Sequence, residues 1–558
     1  MNVSIIKKHC RSCSLASWAI ILVAIPNLAI GDQSDTSAAA SSLAAFRFSG
    51  ATRQVSPVIF GVSYPVTNAL GRYHYKGPYP DGIAGMMQEL GPQIVRGPSG
   101  TGSNYWLWKE GHHLTPEVEG FEKFYDWAPP LVKNRPADPE VPIMLSDLLL
   151  PSEELDVPYC YSANVIAEDA AGIRELARQL VKKSNGRQVY IELGNELYSI
   201  HYRKAFPRAR DYMAQASRLY KAIKAVDPSI QVALIAFNPV LHKRIVRDPA
   251  NYRKTDDHDW EFTVAGRVTA WRREVAARPD VGDAVVIHYY NRIRHVDDVG
   301  GQDKVMAHFF AENRFFDREI DEIAGEMGDR PIWITEWNIM IPEMIKSRDL
   351  EKKARLQIMK TLGVALVQAD LFGTMLADPA ITMTAFHSFQ SANGFGLIQP
   401  ERNRKTGRHK DELMKLPAFH TMSLFGRVVR QNPYLYGLQP VGNVPARKAK
   451  LQGLDEHVQV EDVGVWILGS ASAPREGVLI NRTPTSRRAA VEGHRLLPVW
   501  QYGKTTTPLE KYPEASLEVW SYPPKKVSAP VKTPDADPVR TLHLPPYSMT
   551  VVRILNDE

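Results

Sequence analysis

The sequence predicts an α/β fold class, a (β/α)8 TIM barrel with a C-terminal β-sandwich domain. Eight apolar, β-branched runs alternate with helix-like stretches over the first three quarters of the chain. From about residue 430 the helical periodicity stops, and short alternating patterns punctuated by Pro and Gly replace it. A doubly wound open sheet would need a phosphate-binding glycine loop after an early strand. The glycine-rich stretch at 97–102 leads into Asn104-Tyr105-Trp106 rather than into a helix, which argues against that alternative.

The barrel is predicted over residues 57–429. Its strands are expected at 58–63, 93–96, 141–146, 188–193, 230–236, 283–288, 331–335 and 381–387. Helices are expected at 81–90, 168–184, 207–226, 262–277, 303–328, 350–377 and 410–429. The segment between the second and third predicted strands, 97–140, is interpreted as mostly loop.

The β-sandwich is predicted over residues 430–558. Its strands are expected at 456–461, 464–469, 477–481, 516–521 and 549–554. Residues 32–56 are interpreted as a small, polar leader followed by a strand. Because a strand that precedes the barrel has no barrel role, we expect it to pair into the sandwich and to join the two domains.

Residues 1–31 are typical of a secretory signal peptide. The positive charges at their start are Lys7, Lys8 and Arg11. An apolar run follows at 15–30, and residues 29–31 fit a small-x-small cleavage site. The run is short and no second apolar span follows it, so it is not read as a membrane anchor. The protein is therefore expected to be secreted or periplasmic, without a membrane anchor after signal cleavage.

Charge and cysteine content narrow the function classes. Without residues 1–31 the chain carries 65 Lys+Arg against 62 Asp+Glu, a balance that argues against nucleic acid as a partner. Cys160 is the cysteine that remains after signal cleavage, so no intramolecular disulfide is expected. We interpret it as a buried, inert thiol rather than as a nucleophile.

Two predicted strands end in a carboxylate. The run YIELGNELY carries Glu196 directly after Asn195, and PIWITEWNI carries Glu336 directly before Trp337. Catalytic groups of a (β/α)8 barrel lie at the C-terminal ends of its strands, where a pair of carboxylates can flank a glycosidic bond. The alternative is that each acid caps a following helix. We therefore predict Glu196 and Glu336 as the catalytic residues.

Other strand ends are polar or aromatic, as a sugar-binding site requires. The predicted substrate-binding residues are Arg96, Asn195, His288, Tyr290, Trp337 and His387. A guanidinium at Arg96 would keep Glu336 ionised. The histidines do not show metal-ligand spacing, so neither a metal nor a cofactor is expected.

These motifs resemble clan A of the glycoside hydrolases, all of them retaining enzymes. Gly194-Asn195-Glu196 on the fourth strand and Glu336-Trp337-Asn338 on the seventh carry the resemblance. Within the clan, several stretches are similar to family 51, the α-L-arabinofuranosidases. They are Leu70-Gly71-Arg72 with Tyr75 and Gly77, Arg96-x-Pro98-x-Gly100 with Tyr105, Trp108 and Gly111, His288-Tyr289-Tyr290, and 544–554.

The resemblance implies a role for each central residue. Glu196 would be the acid/base and Glu336 the nucleophile of a double displacement. Asn195 would hold the sugar 2-hydroxyl, and Tyr290 would orient Glu336.

Long segments lie at or near the C-terminal ends of the predicted strands, at 97–140, 237–282 and around 340. Segments placed there would narrow the site to a pocket and favour exo action on a terminal sugar of a polysaccharide.

One departure keeps the substrate open. Family 51 members usually carry a sugar-binding glutamate shortly before Leu-Gly-Arg, whereas residues 65–69 here contain no acid. Families 39 (β-xylosidases) and 79 (β-glucuronidases and heparanases) share the two glutamates and the sandwich and stay alternatives. A non-catalytic carbohydrate-binding protein on the same scaffold is the alternative of a different class.

Overall fold

The computed structural model describes most of the chain after the predicted leader. The described residues are 43–64, 81–98, 100–129, 132, 142–248, 263–292, 302–340, 361–391, 395–402, 409–452, 454, 456–503, 530–533 and 536–557. The predicted signal peptide, the Leu-Gly-Arg stretch and the predicted strand at 516–521 lie outside them. In the described ranges no helix has both the length and the apolar character needed to cross a membrane.

Strands and helices are numbered in chain order over the described residues. The strands are β1 (Leu43–Gln54), β2 (Gly61–Ser63), β3 (Ile94–Gly97), β4 (Trp106–Leu107), β5 (His112–His113), β6 (Tyr159–Ala163), β7 (Val189–Leu193), β8 (Gln231–Ile235), β9 (Ala284–Arg292), β10 (Ile332–Met340), β11 (Ile381–Phe386), β12 (Ile398–Arg402), β13 (His409–Lys415), β14 (Tyr434–Pro440), β15 (Ala446–Lys450), β16 (His457–Glu461), β17 (Val463–Gly469), β18 (Pro474–Asn481), β19 (Arg487–Val491), β20 (His494–Gly503), β21 (Val531–Lys532), β22 (Leu542–Leu544) and β23 (Ser548–Asn556). The helices are α1 (Asp81–Leu90), α2 (Phe121–Phe124), α3 (Leu145–Leu155), α4 (Ala170–Lys183), α5 (Ala209–Lys224), α6 (Pro239–Arg247), α7 (Val264–Ala276), α8 (Gln302–Glu326), α9 (Leu362–Ala377) and α10 (Pro417–Gln431).

Eight parallel strands close into a barrel in the order β2, β3, β6, β7, β8, β9, β10 and β11, with β11 returning to pair with β2. Helices pack around this barrel, as the alternating pattern indicates. The predicted fold class, a (β/α)8 barrel with a separate sheet domain, is confirmed.

The third barrel strand differs from the prediction. It was expected at 141–146, but the structure places it at β6, and residues from Leu145 onward form α3. Leu145, Leu148 and Leu149 recur at helical spacing and are buried. β6 carries Cys160 and a serine among its tyrosines, so its sequence lacks the apolar, β-branched run that marks the other strands.

The C-terminal domain is a nine-stranded, mostly antiparallel sheet in the order β21, β20, β23, β18, β17, β14, β1, β19 and β22. The strand β1 lies between β14 and β19, so the segment before the barrel is an inner strand of the later domain. Residues from both ends of this order share one hydrophobic core, which means that the sheet folds over on itself. The predicted strand at 456–461 is present as β16, but it pairs with β15 in a separate hairpin.

The other face of this sheet packs against the barrel. Trp466 of β17 lies over Gly373 of α9, where an added Cβ would stand 2.2 Å from the indole ring. Arg482 and Asp370 form an ion pair at this contact, 2.6 Å apart, with both side chains fully buried. The barrel and the sheet therefore share one continuous core.

Candidate active site

The C-terminal ends of the barrel strands bring most of the predicted site residues together. Arg96 is the penultimate residue of β3, Glu196 follows β7, and Glu336 lies within β10 beside His288 of β9. His387 directly follows β11. Because all eight strands are parallel, their C-terminal ends open on the same side of the barrel.

Glu336 is enclosed, with its side chain only 5% exposed. Its Oε1 accepts a hydrogen bond from Arg96 Nη1 at 2.8 Å, and its Oε2 accepts one from the Tyr290 hydroxyl at 2.7 Å. Gly100, at φ +70°, brings the backbone so close that an added Cβ would lie 3.8 Å from Oε1. Both oxygens are therefore fixed in direction, as a group that must attack along one line requires.

The electrostatic surroundings keep Glu336 ionised. Burial by itself would raise the pKa of this carboxyl group. The charges of His288, His387 and Arg96 and the hydrogen bond from Tyr290 outweigh burial and lower the pKa well below its usual range. The surroundings of Glu336 thus favour its ionised form.

Arg96 is held between two carboxylates. Its Nε and Nη2 donate to Glu192 at 3.0 and 2.7 Å, and both side chains are fully buried. Burial lowers the pKa of Arg96, but Glu192 and Glu336 more than compensate and raise it above its ordinary value. The remaining hydrogen bond from Nη2 goes to Asn195 Oδ1 at 2.9 Å, so one guanidinium orients three residues of the site.

Glu196 occupies a strained turn and reaches solvent. It adopts φ 48° directly after Asn195, and Gly194 before them has φ 98°. A non-glycine residue in this left-handed region costs backbone energy, and such positions cluster at functional sites. The Glu196 side chain is 34% exposed, against 5% for Glu336, so protons can exchange with water at Glu196 far more readily.

Helix α7 supports the segment that follows Glu196. The Arg267 guanidinium is buried and donates to the carbonyl oxygens of Leu197 and Tyr198, both at 2.9 Å. It also donates to the carbonyl of Phe206 at 2.9 Å. These bonds hold the backbone on both sides of the short helical turn at 200–202, which fixes the position from which Glu196 projects.

The two predicted catalytic glutamates face each other. Glu196, His288 and Glu336 each place one side-chain N or O atom within 4.8 Å of the others. His288 Nδ1 lies 3.2 Å from Glu196 Oε1 and 3.5 Å from Glu336 Oε2. Burial lowers the pKa of His288, but the charges of Glu336 and Glu196 outweigh it and raise the pKa. His387 lies farther away, with Nδ1 at 3.8 Å from Glu336 Oε2.

Asn195 is clamped through its backbone. Asn104 donates from Nδ2 to the Asn195 carbonyl at 2.6 Å and accepts from the Asn195 N–H at 3.0 Å. With Asn195 Oδ1 bound to Arg96, its Nδ2 is buried and has no hydrogen-bond partner among the described residues. A buried amide N–H₂ without a partner is costly, and a sugar hydroxyl would satisfy it.

Trp337 does not line this site, which corrects its prediction as a substrate-binding residue. Side chains alternate along β10, so Trp337 points away from the face that carries Glu336. It is fully buried, stacks on Phe372 with ring centroids 6.2 Å apart, and meets Phe386 edge-on. Trp337 therefore belongs to the core between the barrel and α9.

Three residues of the site were missed in the sequence. Glu192 holds Arg96, Asn104 clamps Asn195, and the Tyr198 hydroxyl donates to Glu196 Oε1 at 3.2 Å. A signal existed for Glu192, because a carboxylate inside an apolar strand must be paired when it is buried. Asn104 lies in a short 3-10 helix at 100–105 after β3, and no pattern in the sequence marked its role.

The chemistry of the site fits general acid–base work better than metal binding. The spacing of Glu196, His288 and Glu336 would admit a metal ion. However, Arg96 and Tyr290 already bind the two oxygens of Glu336, and a divalent cation would meet the guanidinium charge there. Cys160 is buried, and burial raises its thiol pKa well above the usual value, so it offers no thiolate.

A comparison with protein-family models finds no match for this chain, and neither does one with curated protein sequences. Solved structures do match it over almost its whole length. The α-L-arabinofuranosidase from Thermotoga maritima, solved with arabinose, is 13% identical with a TM-score of 0.58, over 92% of this chain and 100% of that one. The family 51 arabinofuranosidase from Xanthomonas axonopodis pv. citri is 15% identical with a TM-score of 0.59 over the same shares.

A second group of similar structures belongs to glycoside hydrolase family 44. The xyloglucanase from Paenibacillus polymyxa is 11% identical with a TM-score of 0.54, over 93% of this chain and 100% of that one. Identities this low establish likeness of fold alone. The chain thus has the barrel-and-sheet fold that family 51 arabinofuranosidases and family 44 glucanases of clan A share.

Proposed function

We propose that this protein is a retaining glycoside hydrolase with Glu336 as nucleophile and Glu196 as acid/base. The observation that carries the proposal is the pair itself: two carboxylates with oxygens within 4.8 Å, of which one is locked as an anion and the other reaches solvent. Retaining enzymes hold their carboxyl groups about 5–5.5 Å apart, whereas inverting ones need roughly 6.5–9.5 Å to admit a water molecule.

The proposed reaction has two displacements. Glu336 attacks the anomeric carbon while Glu196 gives its proton to the glycosidic oxygen, so that the leaving group departs as an alcohol and a glycosyl ester forms on Glu336. Glu196, now ionised, takes a proton from water, and the resulting hydroxide displaces Glu336 from the anomeric carbon. Asn195 Nδ2 supports both transition states through the 2-hydroxyl.

For the substrate we propose a terminal α-L-arabinofuranoside of a polysaccharide, cleaved in exo fashion by a secreted enzyme. The motif resemblance to family 51 and the fold shared with two arabinofuranosidases support this choice. A β-xyloside and a β-glucuronide follow in rank, since the resemblance to families 39 and 79 extends to the same two glutamates.

The test is a panel of nitrophenyl glycosides. The α-L-arabinofuranoside, β-D-xyloside and β-D-glucuronide are assayed beside xyloglucan, and the configuration of the first-formed product is followed by NMR. We expect one aryl glycoside to be cleaved well above the others, with retention. Inversion would overturn the mechanism. Cleavage of xyloglucan alone would overturn the exo pocket, and inactivity on every substrate would favour the non-catalytic alternative.

A further inference from the structure

The tyrosine two positions after Glu196 turns back to the carboxyl group of that glutamate. The Tyr198 hydroxyl donates a hydrogen bond to Glu196 Oε1 at 3.2 Å, and the Tyr198 side chain is buried. Burial raises the pKa of this phenol well above its ordinary value, and the charge of Glu196 adds to the effect. The hydroxyl therefore keeps its proton and acts as a donor toward the carboxylate.

Tyr198 is fixed through both its backbone and its ring. Its carbonyl oxygen accepts a hydrogen bond from the buried Arg267 guanidinium at 2.9 Å. Its ring meets Phe237 edge-on, with centroids 4.6 Å apart, and meets Trp271 edge-on at 6.4 Å. Edge-to-face contacts between aromatic rings favour one ring orientation. The hydroxyl therefore approaches Glu196 from a fixed position.

A second donor approaches the same oxygen. His288 Nδ1 lies 3.2 Å from Glu196 Oε1 and 3.5 Å from Glu336 Oε2. A ring nitrogen that faces carboxylate oxygens on two sides can bond to them only when it carries a hydrogen. Among the residues that the structure describes, none donates a hydrogen bond to Oε2 of Glu196. The two oxygens of the acid/base therefore differ, because the protein holds Oε1 and leaves Oε2 open.

We infer that Tyr198 is a positioning residue for the acid/base, and that its hold on Oε1 leaves Oε2 of Glu196 as the oxygen that carries the transferred proton. The inference rests on the proposed function, since it assigns the atoms of that proton transfer. In the first displacement the Oε2–H bond breaks, the proton goes to the glycosidic oxygen, and the bonding electron pair stays on the carboxylate. Both oxygens share the new charge, so donors to Oε1 stabilise it. In the second displacement Oε2 takes a proton from water.

Tyr198→Phe tests the positioning role, because it removes the hydroxyl and keeps the ring. The substrates share the glycone that the aryl glycoside panel identifies and carry phenol or dinitrophenol as the leaving group. For the phenyl glycoside, kcat/KM should fall roughly 10- to 100-fold, the range for a hydrogen bond to a charged group. For the dinitrophenyl glycoside it should stay near that of wild type, because dinitrophenolate departs without a proton. A loss of folded protein would lower both values equally.

The matched control is Tyr220→Phe. The Tyr220 hydroxyl of α5 also donates to a carboxylate, that of Asp283, at 3.1 Å. Asp283 directly precedes β9, so this hydrogen bond lies at the end of the strand away from the site. The control should leave both kcat/KM values unchanged. Equal losses on the two substrates in Tyr198→Phe, or wild-type values on both, would overturn the positioning role.

Neutron diffraction separates this inference from the proposed function. Crystals of the wild-type protein are exchanged into D₂O at an acidic pD, at which Glu196 carries a deuteron. We expect that deuteron on Oε2, and the deuteron of the Tyr198 hydroxyl directed at Oε1. This result would support the inference even if no glycoside is hydrolysed. A deuteron on Oε1, or a Tyr198 hydroxyl directed elsewhere, would overturn it whether or not the protein is active.

Discussion

At the scale of single residues, Arg96 organises the site. It touches Glu192, Glu336 and Asn195 at once, and it is the cation whose charge does not depend on pH. The charges of His288 and His387, which also lie beside Glu336, both change with pH. The ionisation of the nucleophile therefore depends most directly on a guanidinium that is itself locked by a second buried carboxylate.

Arg96→Lys should fold but lose most activity. A lysine ammonium cannot make the two bonds to Glu192 and still reach Glu336, so the nucleophile loses its fixed direction. We expect kcat on the best aryl glycoside to fall roughly 10²- to 10⁴-fold. Arg178→Lys, on the exposed face of α4, is the control and should behave as wild type. Near-wild-type kcat in Arg96→Lys would contradict the assigned role.

Removing each glutamate should give different rescue products. Glu336→Ala should be inactive, and azide should restore turnover with a glycosyl azide of inverted configuration, because azide takes the place of the nucleophile. Glu196→Ala should still attack substrates with good leaving groups, and azide should then yield the retained product. NMR of the azide products distinguishes the two, and the reverse pattern would exchange the roles of Glu196 and Glu336.

At the scale of elements, the approach to α4 contains a titrating group outside the site. Glu168 precedes the N-cap residue Asp169, and burial raises its pKa to about 7, against the opposing effects of Lys109 and Trp108. The folded protein keeps this proton up to about pH 7, whereas the unfolded chain releases it near 4.5. The stability that this group contributes is therefore complete below pH 4.5 and is lost as pH rises to 7.

Glu168→Gln should remove this pH dependence. Between pH 4.5 and pH 8 the free energy of unfolding of the variant should rise relative to wild type, by up to about 3 kcal/mol. Urea unfolding at the two pH values measures the difference. Glu175→Gln, within α4 itself, should shift in the opposite direction, because hydrogen bonds from Gln179 and Arg178 lower the pKa of Glu175. A pH-independent difference for Glu168→Gln would contradict the burial argument.

At the scale of the whole molecule, the barrel and the sheet domain are joined by a buried charge pair. Asp370 of α9 meets Arg482, which follows β18, and Asp370 also accepts a hydrogen bond from Asn313 at 3.0 Å. Burial lowers the pKa of Arg482, and the charges of Asp370 and Glu461 oppose that effect. The inner position of β1 adds a second link, because the chain passes through the sheet before it enters the barrel.

Asp370→Asn should destabilise both domains together. Breaking a buried pair from one side leaves an uncompensated charge, which costs about 3–5 kcal/mol. We expect one cooperative unfolding transition at lower denaturant, followed by tryptophan fluorescence and circular dichroism. Asp280→Asn, which breaks an exposed pair with Arg278, should change little. Separate transitions for the two domains would show that the contact does not couple them.

Much of the fold and of the site could be predicted from local sequence. Seven barrel strands carry apolar runs that identify them, while β6, with its mixed tyrosine, cysteine and serine, does not. Trp337 was predicted to bind substrate because an aromatic residue at a strand end suits a sugar site, but a strand sends consecutive side chains to opposite faces, and Trp337 lies on the face opposite to Glu336. Glu192 was overlooked inside a strand that was otherwise interpreted correctly.

The sequence by itself determined the alternation of strands and helices, the change of pattern near residue 430, and the two glutamates, 140 positions apart, that accompany the fourth and seventh barrel strands. Local periodicity and residue type are enough for these. Only the tertiary structure decided that Glu196 and Glu336 lie within 4.8 Å, that Glu192 locks Arg96, and that His288 lies next to both catalytic glutamates. Those facts depend on how the barrel closes and which face each strand turns inward, and both are set by packing between residues far apart in the chain.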